Sequence, residues 1–382
     1  MNDQMNEPSL SLFSGAPQHE VFPRLGELFP TGNLTPSSTP HRFPQGRQAD
    51  LPSSYRFQGE ARATKDFFEA TDTAALLVLK DGLVRYERYA LTGGPQVPWI
   101  SWSVAKSFVS ALVGIALHEG HVDSIEDPID RYVDAFRDSA YSGVRIKDIL
   151  QMSSGARWTE DYSDPASDIS RFGAAISAGG SLENFVAGMV RETQPGTVCQ
   201  YNSADTQALG SLLVAATGRT LTDYMQEKLY EPLGMEQPGC WLLDSAGMEM
   251  AFGGLNLCAR DFAKIGELFR NKGRWQGKQL IPQAWVEASV TPDAPHLMPG
   301  KVLVGGHVLP LGYGLQWWIP EGSLGEFSAI GVYNQFVYVD PSRGIVIVKQ
   351  SANRAYGTSP DESTNREMET IEFLRAIARS LD

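Results

Sequence analysis

Three cysteines in 382 residues, Cys199, Cys240 and Cys258, without a Cys-x-x-Cys pair among them, exclude a disulfide framework and a thiolate metal centre. They read as small buried hydrophobes. Histidine is scarce as well, 6 in the chain, and the closely spaced His118 and His121 lack a carboxylate arrangement typical of zinc. The acidic run Asp161, Asp164, Asp168 lacks the glycine turn of a calcium loop, and no glycine-rich phosphate loop occurs. No metal and no cofactor are therefore expected.

Runs of lysine and arginine are missing, and the formal net charge is −13. Nucleic acid and anionic membrane surfaces are disfavoured as partners. The longest apolar segment, Phe108 to Leu117, is too short to span a bilayer. The stretch Met1 to Pro8 shows no basic n-region ahead of an apolar h-region, so a cytoplasmic location is expected. Internal repeats are absent.

What is present is a large core in prospect: 42% hydrophobic residues, 20% charged residues and 8 tryptophans describe a globular chain of two domains, or one large domain with an inserted part. Residues 1–60, rich in Pro and Ser, read as an extended N-terminal arm, with Phe22 to Pro30 as its one apolar docking segment. Two β-rich runs around Asp81-Gly82 form a hairpin with a type I′ turn. From residue 127 to 238 the pattern is mainly helical, with a helix over Thr206 to Thr217 ending at Gly218. Strands return at Tyr313–Ile319, Glu326–Ile330, Gln335–Val339 and Ile345–Lys349, and a helix closes the chain near Glu367 to Leu381. The fold class is α/β (α+β): an antiparallel sheet built from both termini and flanked by helices, over 61–126 and 239–382, with a helical insertion domain over 127–238.

The chemistry centres on Ser103-Val104-Ala105-Lys106, the one Ser-x-x-Lys in the chain. Apolar and small residues from Val104 onward recur at helical spacing, so the first turn of a buried helix carries both side chains. Residues at i and i+3 share a helix face, about 5–6 Å apart at Cβ. A lysine in such an apolar stripe must snorkel, find an acceptor or lose its proton. In the bland reading Ser103 is an N-cap and Lys106 reaches solvent; in the chemical one Ser103 is a nucleophile with a base one turn away. Acyl transfer also needs a proton donor for the leaving group and N–H donors for the oxyanion. Tyr201-Asn202-Ser203, ahead of a helix, offers a phenol and short polar groups. Phe327 to Gln335 is a strand broken at Gly331 that presents backbone N–H groups.

These elements, in this order, resemble the serine β-lactamase/penicillin-binding-protein superfamily, in its esterase-like branch near class C β-lactamases. The resemblance rests on Ser103-x-x-Lys106, Tyr201-x-Ser203 and Ile330-Gly331-Val332, with Gly253-Gly254-Leu255 and Tyr313-Gly314-Leu315-Gln316-Trp317-Trp318 among the connectors, and covers residues 70 to 380. Arg24 to Leu28, Glu160 to Ser167 and Tyr201 to Ala204 are similar to the 6-aminohexanoate-dimer (nylon-oligomer) hydrolases within that branch. The likeness implies a β-lactamase-like fold, Ser103 as acylated nucleophile, Lys106 and Tyr201 as the acid/base pair, and the N–H groups of Ser103 and Val332 as the oxyanion hole. Tyr162 would be a lid residue over the substrate, and Ser203, Trp158, Tyr333 and Phe252 are further substrate-contacting or supporting candidates. A homodimer is what the likeness implies for assembly.

Two departures bear on substrate. Ala329 stands where a β-lactam carboxylate would meet Lys-Thr-Gly, and Phe252 and Gly173 stand where dimer hydrolases carry polar or acidic residues. The expected function is a serine hydrolase cleaving carboxylic esters and small linear amides of the 6-aminohexanoate-dimer type. The alternatives are a β-lactamase or D-Ala-D-Ala peptidase, or a non-catalytic binding protein on the same fold.

Overall fold

The computed structural model describes residues 11–381 and shows an arm that docks along its length. The first ten residues of the expected arm lie outside the described residues. Phe22 and Leu25 are buried, the Phe22 ring meeting Trp99, Trp102 and Tyr333 edge-on. Residues Thr31–Leu34 (β1) are a strand rather than simple extended chain, and a short hairpin occupies residues 54–63. Part of the arm's backbone is paired, Thr31–Leu34 with Gly239–Leu242 of the body and Ser54–Phe57 with Glu60–Ala63 inside the hairpin.

The chain then forms Thr73–Lys80 (β2) and Leu83–Tyr89 (β3). Asp81 and Gly82 both take positive φ, 53° and 74°, as a type I′ turn requires. Trp99–Ile100 (β4) leads into helix Ala105–His118 (α1). Helices Ile146–Leu150 (α2), Asp168–Ser177 (α3), Leu182–Ala187 (α4) and Ser203–Thr217 (α5) follow. The last begins at Ser203 because Asn202 caps it, accepting from Ala204 N–H, and it ends at left-handed Gly218.

Gly239–Leu242 (β5), Leu255–Leu257 (β6) and helix Ala259–Arg270 (α6) precede Leu311–Tyr313 (β7), Trp318–Pro320 (β8), Phe327–Gly331 (β9), Gln335–Asp340 (β10) and Ile345–Ser351 (β11). Helix Glu367–Ser380 (α7) completes the described fold. The single strand expected over Tyr313–Ile319 is two strands with a turn between them. Gln316 takes φ 64°, and Trp317 turns fully into the core against Phe269 and Phe327.

One seven-stranded antiparallel sheet runs β7-β8-β9-β10-β11-β2-β3. It joins the two ends of the chain where Ile347 pairs with Val78. Alternation along these strands sorts successive residues into two cores. Leu77, Leu79, Val337, Val346 and Val348 face the cluster holding α1 and α6, and Leu76, Val78, Phe336, Tyr338 and Ile347 face the one holding Phe373, Leu374 and Ile377 of α7. Burial on both faces explains why these strands read as unbroken apolar runs. A second sheet of four strands, β1-β5-β6-β4, was not foreseen, and it anchors the residues just before Ser103. Cys199 and Cys258 are buried, whereas Cys240 is only half-buried, at the seam where β5 pairs with the arm strand β1. Among the described residues no helix is long and apolar enough to cross a membrane.

Lys349 is a cost within this architecture. It is fully buried in β11, 5.2 Å from the Phe67 ring centroid, and burial lowers its pKa well below the ordinary lysine value, with Asp72 opposing. Between the lowered pKa and the free-lysine value near 10.4 the unfolded chain binds a proton there that the folded one does not, so the penalty is largest below that window and fades as pH rises through it. Lys349→Met is expected to raise the melting temperature by roughly 2 °C or more at pH 7. The gain should shrink in thermal unfolding at pH 9–10.

Candidate active site

The site is built from the second sheet outward. Ser101 N–H donates to Leu255 O at 2.7 Å, which holds the chain at the end of β4. Trp102 then takes φ 43°, a conformation a bulky residue adopts only when its surroundings impose it, at about 1–3 kcal/mol. Residues Trp102–Val104 form a 3-10 turn. Ser103 therefore lies in the turn that feeds α1 and not in the helix itself, a small correction to the expected position. Ser103 stays partly exposed while Lys106, one turn on, is 1% exposed.

Lys106 Nζ donates to Ser103 Oγ at 3.1 Å, Ser203 Oγ at 3.1 Å and Phe252 O at 2.8 Å. It also lies 5.2 Å from the Tyr201 ring centroid and 5.5 Å from that of Phe252. Burial lowers its pKa to about 7, and Glu160 pulls in the opposite direction. The ammonium and the free amine are then comparably populated at neutral pH.

The hydrogen-bond roles around the free amine follow by exclusion. Ser203 donates its hydroxyl proton to Glu160 Oε1 at 2.6 Å, so its oxygen is left to accept from Lys106. The Phe252 carbonyl can only accept. Both N–H bonds of a neutral Lys106 are thereby used, and its lone pair faces Ser103 Oγ.

Glu160 is the functional residue that sequence reasoning missed. It is 2% exposed, yet it accepts from Ser203 N at 3.0 Å, Ser203 Oγ, Tyr162 OH at 2.7 Å and Trp158 Nε1. The acidic residues that drew attention, Asp161, Asp164 and Asp168, instead hold local turns and caps. The available signal was Trp158-x-Glu160-x-Tyr162: in extended chain these three side chains share one side. Trp158 itself is not a cleft residue, being 1% exposed and spent on Glu160 and the Phe172 ring.

Tyr201 packs on Trp318 and Tyr313 at ring distances of 5.0 and 6.0 Å. Burial raises its pKa well above 10, as do the carboxylates of Glu160 and Glu367, while hydrogen bonding with Ser103 lowers it. The phenol keeps its proton at neutral pH. Opposite it, Gly331 at the end of β9 approaches the turn so closely that a Cβ there would stand 2.7 Å from Ser101 O and 3.1 Å from Ser103 N. Only glycine allows that approach, which sets Val332 beside Ser103 on the wall of the same cavity. Strand alternation sends Ala329 into the core with α1 and α6 and turns Ile330 toward Ser103.

Two spaces meet at Ser103. The larger, about 510 Å³, is lined by Tyr162, Ser203, Met250 and Phe252 among others. The smaller, about 30 Å³, is lined by Tyr162, Tyr201, Trp318, Ile330 and Glu367. Tyr162 stands between them, where a lid residue was expected. Tyr333 lines neither; it is buried behind Trp102, and its hydroxyl accepts from Phe13 N–H at 2.8 Å.

A family described as beta-lactamase matches residues 61–371. A 6-aminohexanoate-dimer hydrolase of Paenarthrobacter ureafaciens is 28% identical over 359 residues, covering 91% of this chain and 88% of that protein. In structure, a Bacillus anthracis protein provisionally named a 6-aminohexanoate-dimer hydrolase superposes with a TM-score of 0.84 at 24% identity, covering 98% of each chain. EstCE1, described as a hydrolase with promiscuous acyltransferase activity, superposes at 0.61 with 16% identity, over 83% of this chain and 96% of that one.

The coupling between Glu160 and Lys106 is measurable without substrate. In ¹³C-lysine-labelled protein the Lys106 methylene next to Nζ should titrate near pH 7, and Glu160→Gln should move that midpoint to lower pH. The same change puts an amide donor among four donors, and thermal unfolding should show a loss of about 1–3 kcal/mol. An unmoved midpoint would show that the carboxylate does not act on the amine.

Proposed function

Because the chain belongs to the beta-lactamase family, we propose that it is a serine hydrolase cleaving carboxylic esters and small linear amides through an acyl-serine intermediate. The observation that carries this reading is the placement of the buried Lys106 Nζ within hydrogen-bond reach of Ser103 Oγ, with Ser203 Oγ and the Phe252 carbonyl as its other partners. A buried amine whose two N–H bonds are engaged elsewhere, and whose free electrons face the hydroxyl of a partly exposed serine, is a general base poised for that hydroxyl.

In this mechanism Lys106 takes the Ser103 proton as Oγ attacks the carbonyl carbon. The N–H groups of Ser103 and Val332 receive the developing oxyanion. Tyr201, the group that retains its proton, passes it to the departing alkoxide or amine and takes back the proton that Lys106 received from Ser103. Water then attacks the acyl-serine through the same groups in reverse. Ser203 and Glu160 touch no reacting atom and position Lys106. The dimer-hydrolase relative supports the amide branch of the reading. A β-lactam carboxylate would need a cation near Gly331, and Ala329, turned into the core, provides none.

Purified protein is incubated with a short p-nitrophenyl acyl ester, with colour release and intact mass followed together. Turnover should pass through a transient acyl adduct on Ser103, and Ser103→Ala should lower kcat/KM by about 10⁴-fold or more; equal turnover by that variant would sink the assignment. Since Lys106 must be deprotonated to act, kcat/KM should rise with pH through about 7. Gly331→Ala, which forces β9 off the turn, should cost about 10²–10³-fold in kcat.

A further inference from the structure

The two spaces at Ser103 differ in chemistry. The larger one is walled by Leu12, Phe13, Trp102, Ile169, Met250 and Phe252, its remaining hydrophilic lining being tyrosine and serine hydroxyls. Among the described residues no Asp, Glu, Lys, Arg or His lines it. The smaller one holds Tyr201 and the carboxyl group of Glu367, which accepts from Tyr356 OH. The proton donor for the leaving group thus lies on the side of the smaller space, so the leaving-group oxygen or nitrogen faces that side and the acyl chain extends into the larger.

The roof of the larger space comes from the N-terminal arm. Phe13 takes φ 57° and its N–H is fixed to Tyr333 OH. Its ring stacks on Tyr333 at 5.2 Å and 14°, and lies 4.7 Å from the Tyr162 ring. Gly357 makes room for it: a Cβ at that position would stand 2.3 Å from the ring. An aromatic side chain from the far end of the sequence is thereby built into the substrate wall.

Resting on the serine-hydrolase reading, we propose that this enzyme selects an uncharged, apolar acyl chain and that Phe13 sets the length it accepts. A terminal ammonium or carboxylate would meet only hydroxyl groups and no counter-charge in this lining, and would give up part of its hydration to enter. A 6-aminohexanoyl chain carries such an ammonium, so the selectivity here departs from the substrate in the relative's name. Each methylene of a neutral chain gains contact until the chain reaches the wall.

The test is the acyl-length profile of p-nitrophenyl esters on the full chain, from acetate to dodecanoate, with p-nitrophenyl 6-aminohexanoate as the charged match for the heptanoate. Between acetate and hexanoate, kcat/KM should rise by about fourfold per methylene. The heptanoate should exceed the aminohexanoate by about 100-fold or more. Phe13→Ala should raise the dodecanoate-to-hexanoate ratio at least tenfold, and Phe13→Leu should give a smaller rise. This ratio is independent of how much variant is folded. Ser103-dependent acetate hydrolysis with a flat profile, or with the aminohexanoate as good as the heptanoate, overturns the chamber while leaving the hydrolase intact. An unchanged ratio in both Phe13 variants overturns the role of Phe13. Absence of Ser103-dependent turnover on every ester overturns the hydrolase reading and this proposal with it.

Discussion

The burial of one amine organises this protein. An ammonium in a dry interior is expensive unless acceptors surround it, and Lys106 receives three from three separate parts of the chain. Ser103 comes from the turn before α1, Ser203 from the start of α5, and the Phe252 carbonyl from the segment before β6. The last two must be brought within about 3 Å by elements far from α1 in sequence. The sheet that joins both termini and the helices over 127–238 are the frame on which those three groups converge. A displacement that opened any one of them would admit water and restore the ordinary basicity of the lysine.

Convergence of this kind requires backbone that is not relaxed. Trp102 carries a left-handed φ, and Gly331 lies where no Cβ fits. Both are held by ordered pairing: Ser101 N–H is bonded into the second sheet at Leu255, and Gly331 pairs with Gln335 in the first. The aromatic cluster of Phe22, Trp99, Trp102 and Tyr333 presses on the strained turn from behind. Strain at the turn and the buried lysine draw on the same cohesion, which explains why so much of the arm is docked there.

The parts of the site that were legible in the sequence are those whose chemistry and spacing are local. Ser103 and Lys106 meet because they are three residues apart near a helix start, and Gly331 interrupts an otherwise apolar strand. Glu160 was illegible because its partners come from both sides of it and from α5, 43 positions away. Trp158 and Tyr333 were read as substrate-contacting or supporting residues; burial directs the first to the Glu160 carboxylate and the second to the arm. Composition marked the arm as weakly structured, since no pattern shows that a body strand such as β5 offers it an edge. The domain outline was drawn from the periodicity of strands and helices, whereas the four-stranded sheet pairs short segments from distant parts of the chain, which periodicity cannot register.

Ser203 resolves a conflict in this design. A carboxylate in direct contact with Lys106 would hold the proton firmly; no carboxylate at all would let burial lower the pKa of the amine further. Placing one hydroxyl between Glu160 and the amine separates the charges while passing on their orientation. The hydroxyl gives its proton to the carboxylate and presents its oxygen to Lys106, fixing the lone pair on Ser103. The wall of the larger cavity is built differently, from the arm, the region of α3 and the Met250–Gly253 segment. Apart from the Phe252 carbonyl these segments share no hydrogen bond with Lys106. The lining of that cavity can therefore vary in sequence while the hydrogen-bond chain of Glu160, Ser203, Lys106 and Ser103 stays fixed.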